Sequence, residues 1–172
     1  MIKFFLPAVF LLVATIALGS QELRVGDRAP EFYLKNQRGE DFDLRARKAK
    51  WTVLYFYPKA ETPGCTKQAC AFRDNIEKIK KLGAEVYGVS VNSVEEQSGF
   101  AKNHKINFDL LADSDAKVTE LYGVKMMMLK MAKRWTFILD GELKIRDIEK
   151  DVDPVKDAEY VAGKLSQLQQ QK

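Results

Sequence analysis

Trp51-Thr52-Val53-Leu54-Tyr55-Phe56-Tyr57 is an unbroken apolar and aromatic run, and after a short polar turn it gives way to Thr62-Pro63-Gly64-Cys65. A run of strand length that does not alternate is what a strand covered on both faces looks like. Thr62 is a natural N-cap and Pro63 suits the first helical position, so a helix is predicted from about Pro63 to Leu82, with Gly83 to end it. Glu85 to Ser90 is the next predicted strand. Strand, helix, strand in that order requires a parallel pair joined by a crossover.

Working outward, Glu31 to Asp43 alternates loosely around Asn36-Gln37-Arg38-Gly39 and reads as a hairpin. Ser93-Val94-Glu95-Glu96 is a capping box and opens a second helix, to about His104. Ala116 to Tyr122 is a short helix stopped by Gly123. Trp135 to Leu139 and Leu143 to Ile148 are strands joined at Asp140-Gly141, a hairpin signal. Asp153-Pro154 supplies an N-cap and a first-turn Pro for a last helix, whose Gln-rich end is expected to fray. An early parallel crossover with a late antiparallel hairpin makes a mixed central sheet with helices on both faces. The expected fold class is therefore α/β and thioredoxin-like.

The chain has 172 residues, 46% hydrophobic and 30% charged, with a formal net charge of +4. Such a composition suits one soluble domain with a hydrophobic core. The charge is too mild and too dispersed for nucleic-acid binding. Residues 1–19 differ: Lys3 precedes an apolar run from Phe4 to Leu18, interrupted by Pro7 and closed by small residues. This is the pattern of a cleaved secretory signal, shorter than the roughly 20 residues that span a bilayer, with an uncleaved membrane anchor as the alternative. Residues 20–172 are then the expected mature domain. It is exported, to the periplasm in a bacterial source, and has no stable membrane association once the signal is removed.

There are only two cysteines, Cys65 and Cys70. In an oxidising compartment a close pair reads first as a disulfide. A structural bridge closing so small a loop would constrain the unfolded chain little. In a regular helix residues five apart have Cα atoms about 8.7 Å apart, whereas a disulfide needs less than about 7 Å. The bond therefore requires the helix start to unwind, which suits a pair that opens and closes. Cys65 falls in the first helical turn, where free N–H groups and the helix dipole favour an anion, and the thiolate is the reactive form of Cys. Pro58 can cover the sulfur from solvent, and the Thr62 hydroxyl can hydrogen-bond the thiolate.

Pro58, Thr62 and Cys65, in the spacing Pro, three residues, Thr, two residues, Cys, with Cys70 five residues on, resemble the peroxiredoxins of the bacterioferritin-comigratory or Q type. The flanks Phe56-Tyr57-Pro58-Lys59 and Phe72-Arg73-Asp74 look alike too. So do Leu110-Leu111-Ala112-Asp113 and Arg134 to Gly141, and the likeness runs from about Val25 to Leu165. The resemblance implies a thiol-dependent peroxidase that reduces hydrogen peroxide and organic hydroperoxides. Cys65 would be the peroxidatic residue, passing through sulfenic acid, and Cys70 the resolving one. Arg134 would contact thiolate and peroxide, its planar fork suiting an oxygen pair. A thioredoxin-like or other external dithiol would recycle the Cys65–Cys70 disulfide. The resemblance implies no cofactor and no metal, and a monomer. Two alternatives stand beside it. One is a thioredoxin-like protein thiol-disulfide oxidoreductase, although such enzymes place Cys-x-x-Cys at the helix start. The other is an exported binding protein with a structural disulfide.

Two departures from the family pattern matter. Trp135 follows Arg134 where the family has Ser or Thr, which bears on peroxide access or the partner surface. Residues 126–131 form a Met-rich loop, read first as adaptable packing of core and loop, then as a docking patch or a Cu(I) site. His104, the single His, reads as a surface residue, and Asp113 and Asp115 as helix caps.

Overall fold

The computed structural model describes residues 22–48 and 50–170. The expected signal, residues 1–19, lies outside them. Tyr33–Asn36 (β1) and Asp41–Asp43 (β2) pair antiparallel across the predicted turn, where Gly39 N donates to the Asn36 carbonyl at 2.9 Å. A 3-10 turn, Leu44–Arg47, leads to Trp51–Phe56 (β3). Pro63–Lys81 (α1) follows, and the chain turns at Gly83, whose φ of +68° suits glycine, into Ala84–Ser90 (β4). Val94–Asn103 (α2) begins at the predicted capping box, with the Ser93 hydroxyl and Glu96 carboxylate reciprocally bonded to backbone N–H groups.

The strand Asp109–Ala112 (β5) was not anticipated as an element. It pairs parallel with β4 and antiparallel with β1, and so joins the N-terminal hairpin to the sheet. Lys117–Leu121 (α3) follows. The capping reading of the acidic turn holds: the buried Asp113 carboxylate accepts from Val118 N, Thr119 N and Thr119 Oγ1 at 3.1, 2.7 and 2.6 Å. Asp115 accepts from Lys117 N at 3.3 Å.

Trp135–Leu139 (β6) and Ile145–Glu149 (β7) form the late hairpin, with a correction to its turn. Asp140 N donates to the Lys144 carbonyl and Leu143 N to the Asp140 carbonyl, so the loop is longer than Asp140-Gly141, and Leu143 takes the left-handed conformation. Asp153 caps a turn, accepting from Val155 N at 2.9 Å, and Asp157–Gln170 (α4) starts only after that turn. The Gln-rich end of α4 is helical as far as Gln170, and residues 171–172 lie outside the described residues. Leu168 is buried and Gln169 Nε2 donates to the Leu82 carbonyl at 2.6 Å.

The seven strands form one mixed sheet in the order β2-β1-β5-β4-β3-β6-β7. β3 is parallel to β4 and antiparallel to β6. Val53, Tyr55 and Tyr57 enter one core with Phe72 and Ile76 of α1, Phe100 of α2, and Val161 and Leu165 of α4. Leu54 and Phe56 enter a second core with Phe32, Phe42, Val118, Tyr122 and Phe137. Helices therefore cover both faces, as expected, with α3 alone on the second among the described residues. The aromatic run at 51–57 lacks alternation because both of its faces are buried. Among the described residues no helix is long and apolar enough to cross a membrane.

Candidate functional site

β3 ends against the core and delivers the chain to a loop that is pinned before α1 begins. Ala60 N donates to Asn92 Oδ1 at 2.9 Å, as does Ser90 Oγ, so the loop is tied to the chain that follows β4. Glu61 stands at φ 63°, a left-handed conformation that costs a non-glycine residue about 1–3 kcal/mol. Thr62 is extended, Pro63 opens α1, and Thr66 N donates to the Thr62 carbonyl at 2.9 Å as the first helical bond.

Cys65 lies in this first turn and is 1% exposed, while Cys70 is half-buried, and both are free thiols. Arg134, immediately before β6, donates from Nη2 to Cys65 Sγ at 3.5 Å and from Nη1 to Gln68 Oε1 at 2.6 Å. The sulfur thus sits between the N-terminal dipole of α1 and a guanidinium, two sources of positive potential that favour negative charge there. Gly64 makes room for the arginine: a Cβ on it would lie 3.1 Å from Arg134 Nη2.

Behind Arg134 runs a buried polar chain that the sequence reading missed. Gln68 Nε2 donates to Asp157 Oδ2 at 2.7 Å, and Thr136 Oγ1 donates to the same oxygen at 2.8 Å. Gln68, Thr136 and Asp157 are all within 2% of full burial. Asp157 Oδ1 is buried with no partner. Burial pushes the Asp157 carboxyl up to about 6, against the opposing pull of the Gln68 and Thr136 hydrogen bonds. A signal for these residues did exist. Gln68 falls on the apolar stripe Cys65, Ala69, Phe72, Ile76, Ile79 of α1, and Asp157 on the stripe Ala158, Val161, Ala162, Leu165 of α4. A polar residue on a core-facing stripe asks for a partner.

Of the predicted residues, the structure brings Cys65 and Arg134 into contact and keeps Cys70 five residues along the same intact helix. Pro58 is half-buried in the loop after β3. Thr62 is at the N-cap, but its hydroxyl donates to the Lys59 carbonyl at 2.9 Å instead of to Cys65 or the helix. Trp135 packs in the second core, on the sheet face away from Cys65, between Lys150 Nζ at 4.5 Å and Lys133 Nζ at 5.3 Å from its ring. It does not line the approach to the sulfur. The Met-rich loop is not core packing either: Met127 and Met128 are 97% and 90% exposed, on a loop closed by the Lys125–Ala132 bridge. His104 is at the surface, as read from the sequence, but it is not idle there. Its side chain is mostly covered, edge-on to Phe100 at 5.0 Å, and its Nε2 lies 2.8 Å from Glu61 Oε2.

Comparison with known proteins gives one consistent answer. The profile of the AhpC/TSA family matches residues 25–148. A chloroplastic peroxiredoxin Q of Sedum lineare is 49% identical over 116 residues, which are 67% of this chain and 62% of the plant protein, so the match spans less than two thirds of that relative. Peroxiredoxin Bcp of Escherichia coli K12 is 42% identical over 135 residues, 75% of this chain and 86% of its own. Among solved structures, peroxidoxin BcpB of Mycobacterium tuberculosis superposes with a TM-score of 0.80 at 32% identity, covering 86% of this chain and 99% of that one. A Cys-to-Ser mutant of PrxQ from Xylella fastidiosa gives 0.81 at 27% identity, covering 87% and 99%.

Proposed function

Because the chain belongs to the AhpC/TSA family, among relatives of the peroxiredoxin Q and Bcp kind, we propose that it is a thiol-dependent peroxidase in which Cys65 reduces hydroperoxides. The observation that carries this reading is the Cys65 sulfur at a helix N-terminus with Arg134 Nη2 at 3.5 Å. The Cys65 thiolate attacks the terminal oxygen of hydrogen peroxide or an alkyl hydroperoxide. The S–O bond forms as the O–O bond breaks, and the departing oxygen takes a proton to leave as water or alcohol. Arg134 meets the negative charge that spreads over the two oxygens, and it can do so without reorganising because Gln68 already holds it. Thr62 and Pro58 frame the entrance, the Thr62 hydroxyl exchanging its bond to Lys59 for one to the peroxide.

The resulting Cys65 sulfenic acid condenses with Cys70 and releases water. A thioredoxin-like or other dithiol then returns both residues to thiols by exchange. Residues 1–19 direct the chain out of the cytoplasm, to the periplasm in a bacterial source, where residues 20–172 act as a monomer free of the membrane. A protein thiol-disulfide oxidoreductase is the weaker reading, since the two cysteines are five residues apart and the first faces an arginine.

The test is turnover of residues 20–172 with hydrogen peroxide or cumene hydroperoxide and dithiothreitol or thioredoxin. Catalytic consumption of peroxide is expected for the native chain and loss to background for Cys65→Ser. Retention of more than a few per cent of activity in Cys65→Ser would move the chemistry elsewhere.

A further inference from the structure

Glu61, the strained residue before Thr62, is held from outside its own loop. Its Oε1 accepts from Asn103 Nδ2 at 2.9 Å, and its Oε2 meets His104 Nε2 at 2.8 Å. Both partners close the C-terminal end of α2. The same residue, His104, also grips α1 itself: its backbone carbonyl accepts from Arg73 Nη1 at 2.7 Å. Arg73 is anchored in turn by Asn107 Nδ2, which donates to the Arg73 carbonyl at 3.3 Å. The imidazole is fixed by its edge-on contact with buried Phe100. His104, the residue that closes α2, therefore ties the chain on both sides of the cysteine pair, at the loop residue four before Cys65 and at the α1 residue three after Cys70. The segment between the ties is the one that has to unwind for the two sulfurs to meet.

We propose that Glu61 and His104 form a latch that sets how fast the Cys65–Cys70 disulfide closes, by holding the first turns of α1 wound. This rests on the peroxidase reading above and deepens it. The two side chains are positioning residues, because neither touches peroxide or sulfur. The Cys65–Arg134 contact does not pass through them, so the first oxidation proceeds with the latch shut. Afterwards the sulfenic acid has two fates. In one, α1 opens, the Cys70 thiolate attacks the Cys65 sulfur, the S–S bond forms as the S–O bond breaks, and the departing hydroxide takes up a proton to become water. In the other, a second hydroperoxide donates an oxygen to the Cys65 sulfur, giving sulfinic acid and an alcohol or water. A tight latch slows the first fate and leaves more time for the second. The left-handed Glu61 works against the latch, because opening releases that strain. The Glu61 carboxyl is held below the usual range by His104 first and Asn103 next, in keeping with a contact that favours the ionised form.

The reduced mature chain mixed with one equivalent of hydrogen peroxide, quenched by thiol alkylation and read by mass spectrometry, separates the steps. Glu61→Ala and His104→Ala should each close the disulfide several-fold faster than the native chain, with second-order oxidation of Cys65 within about twofold. The double variant should be no faster than the faster single one, since either change opens the same latch. Glu61→Gly should close more slowly than Glu61→Ala, because glycine removes the strain that favours opening. At high peroxide the sulfinic fraction should fall in the order of the closure rates. Closure at the native rate in both single variants would overturn the latch and leave the peroxidase standing. A native chain that consumes peroxide yet never forms the Cys65–Cys70 bond would sink the parent reading, and the latch with it.

Discussion

Asp157 offers a prediction that can be worked through to a magnitude. Its carboxyl is pushed from the ordinary aspartate value of 3.8 up to about 6 by burial, with the Gln68 and Thr136 hydrogen bonds pulling the other way. The folded chain therefore binds a proton at Asp157 more tightly than the unfolded chain does. Ionised Asp157 costs stability at neutral pH, and the cost is relieved as pH falls through about 6 towards 3.8. At about 1.4 kcal/mol for each tenfold change in proton affinity, the full effect is about 3 kcal/mol, and about 2 kcal/mol of it should be realised by pH 4.5. The proton has a natural place on Oδ1, the oxygen with no partner, so Oδ2 can keep both of its hydrogen bonds. Asp157→Asn removes the titration at nearly constant shape. Urea unfolding of both proteins between pH 7.5 and 4.5, in a phosphine reductant that keeps the cysteines reduced, measures the difference. Every other carboxylate titrates in both proteins and cancels. The native chain should gain about 2 kcal/mol on the variant as pH falls across that range. Parallel curves, agreeing to within about 0.5 kcal/mol, would mean that Asp157 is not a charge held in a dry site, and the account of the buried chain behind Arg134 would fail with it.

Three further outcomes are expected. Arg134→Lys keeps the charge but loses the planar fork that sets one nitrogen on Gln68 and the other on the sulfur, so Cys65 oxidation should slow about tenfold or more, close to 1.4 kcal/mol of barrier; stopped-flow rates equal to native would remove Arg134 from the site. Cys70→Ser should leave that first oxidation within about twofold of native but stall turnover with thioredoxin, and mass spectrometry should find Cys65 as sulfenic acid or a mixed adduct. Amide hydrogen exchange should show protection lost from about Pro63 to Asp74 after stoichiometric peroxide, with β6 and β7 barely changed; equal protection in both redox states would contradict an opening helix.

How far the sequence could be read depends on whether each signal was local. The β3–α1–β4 crossover was legible because burial on both faces, the Thr62-Pro63 start and the Gly83 stop each act within a few residues. β5 was not, because its four residues are a strand only by virtue of pairing with β4 and β1. The opposite placement of its leucines, Leu110 in the first core and Leu111 in the second, is fixed by that pairing and not by any pattern longer than two residues. The late hairpin was legible as a pair of strands, but its turn was not. The left-handed residue is Leu143, whose side chain is buried in the second core, so packing overrode the preference of Gly141.

The candidate site divides the same way. Cys65, Cys70, Pro58 and Thr62 lie on one short stretch whose spacing carries the pattern, and only Arg134 had to be brought from a distance by resemblance. Gln68 and Asp157 are 89 residues apart in the chain, and neither reads as chemical until α1 and α4 are packed together. Their arrangement also has an electrostatic logic. A carboxylate bonded directly to Arg134 would orient it well, but would cancel much of its field at the sulfur. The Gln68 amide is neutral. It offers its oxygen to the guanidinium and its nitrogen to Asp157, and so transmits orientation through two hydrogen bonds while keeping the negative charge one side chain further back. Because Asp157 Oδ2 accepts, the amide cannot turn round without setting its NH2 group against the guanidinium. The carboxylate thus fixes which way the amide faces, the amide fixes Arg134 through Nη1, and Nη2 is left free to point at Cys65.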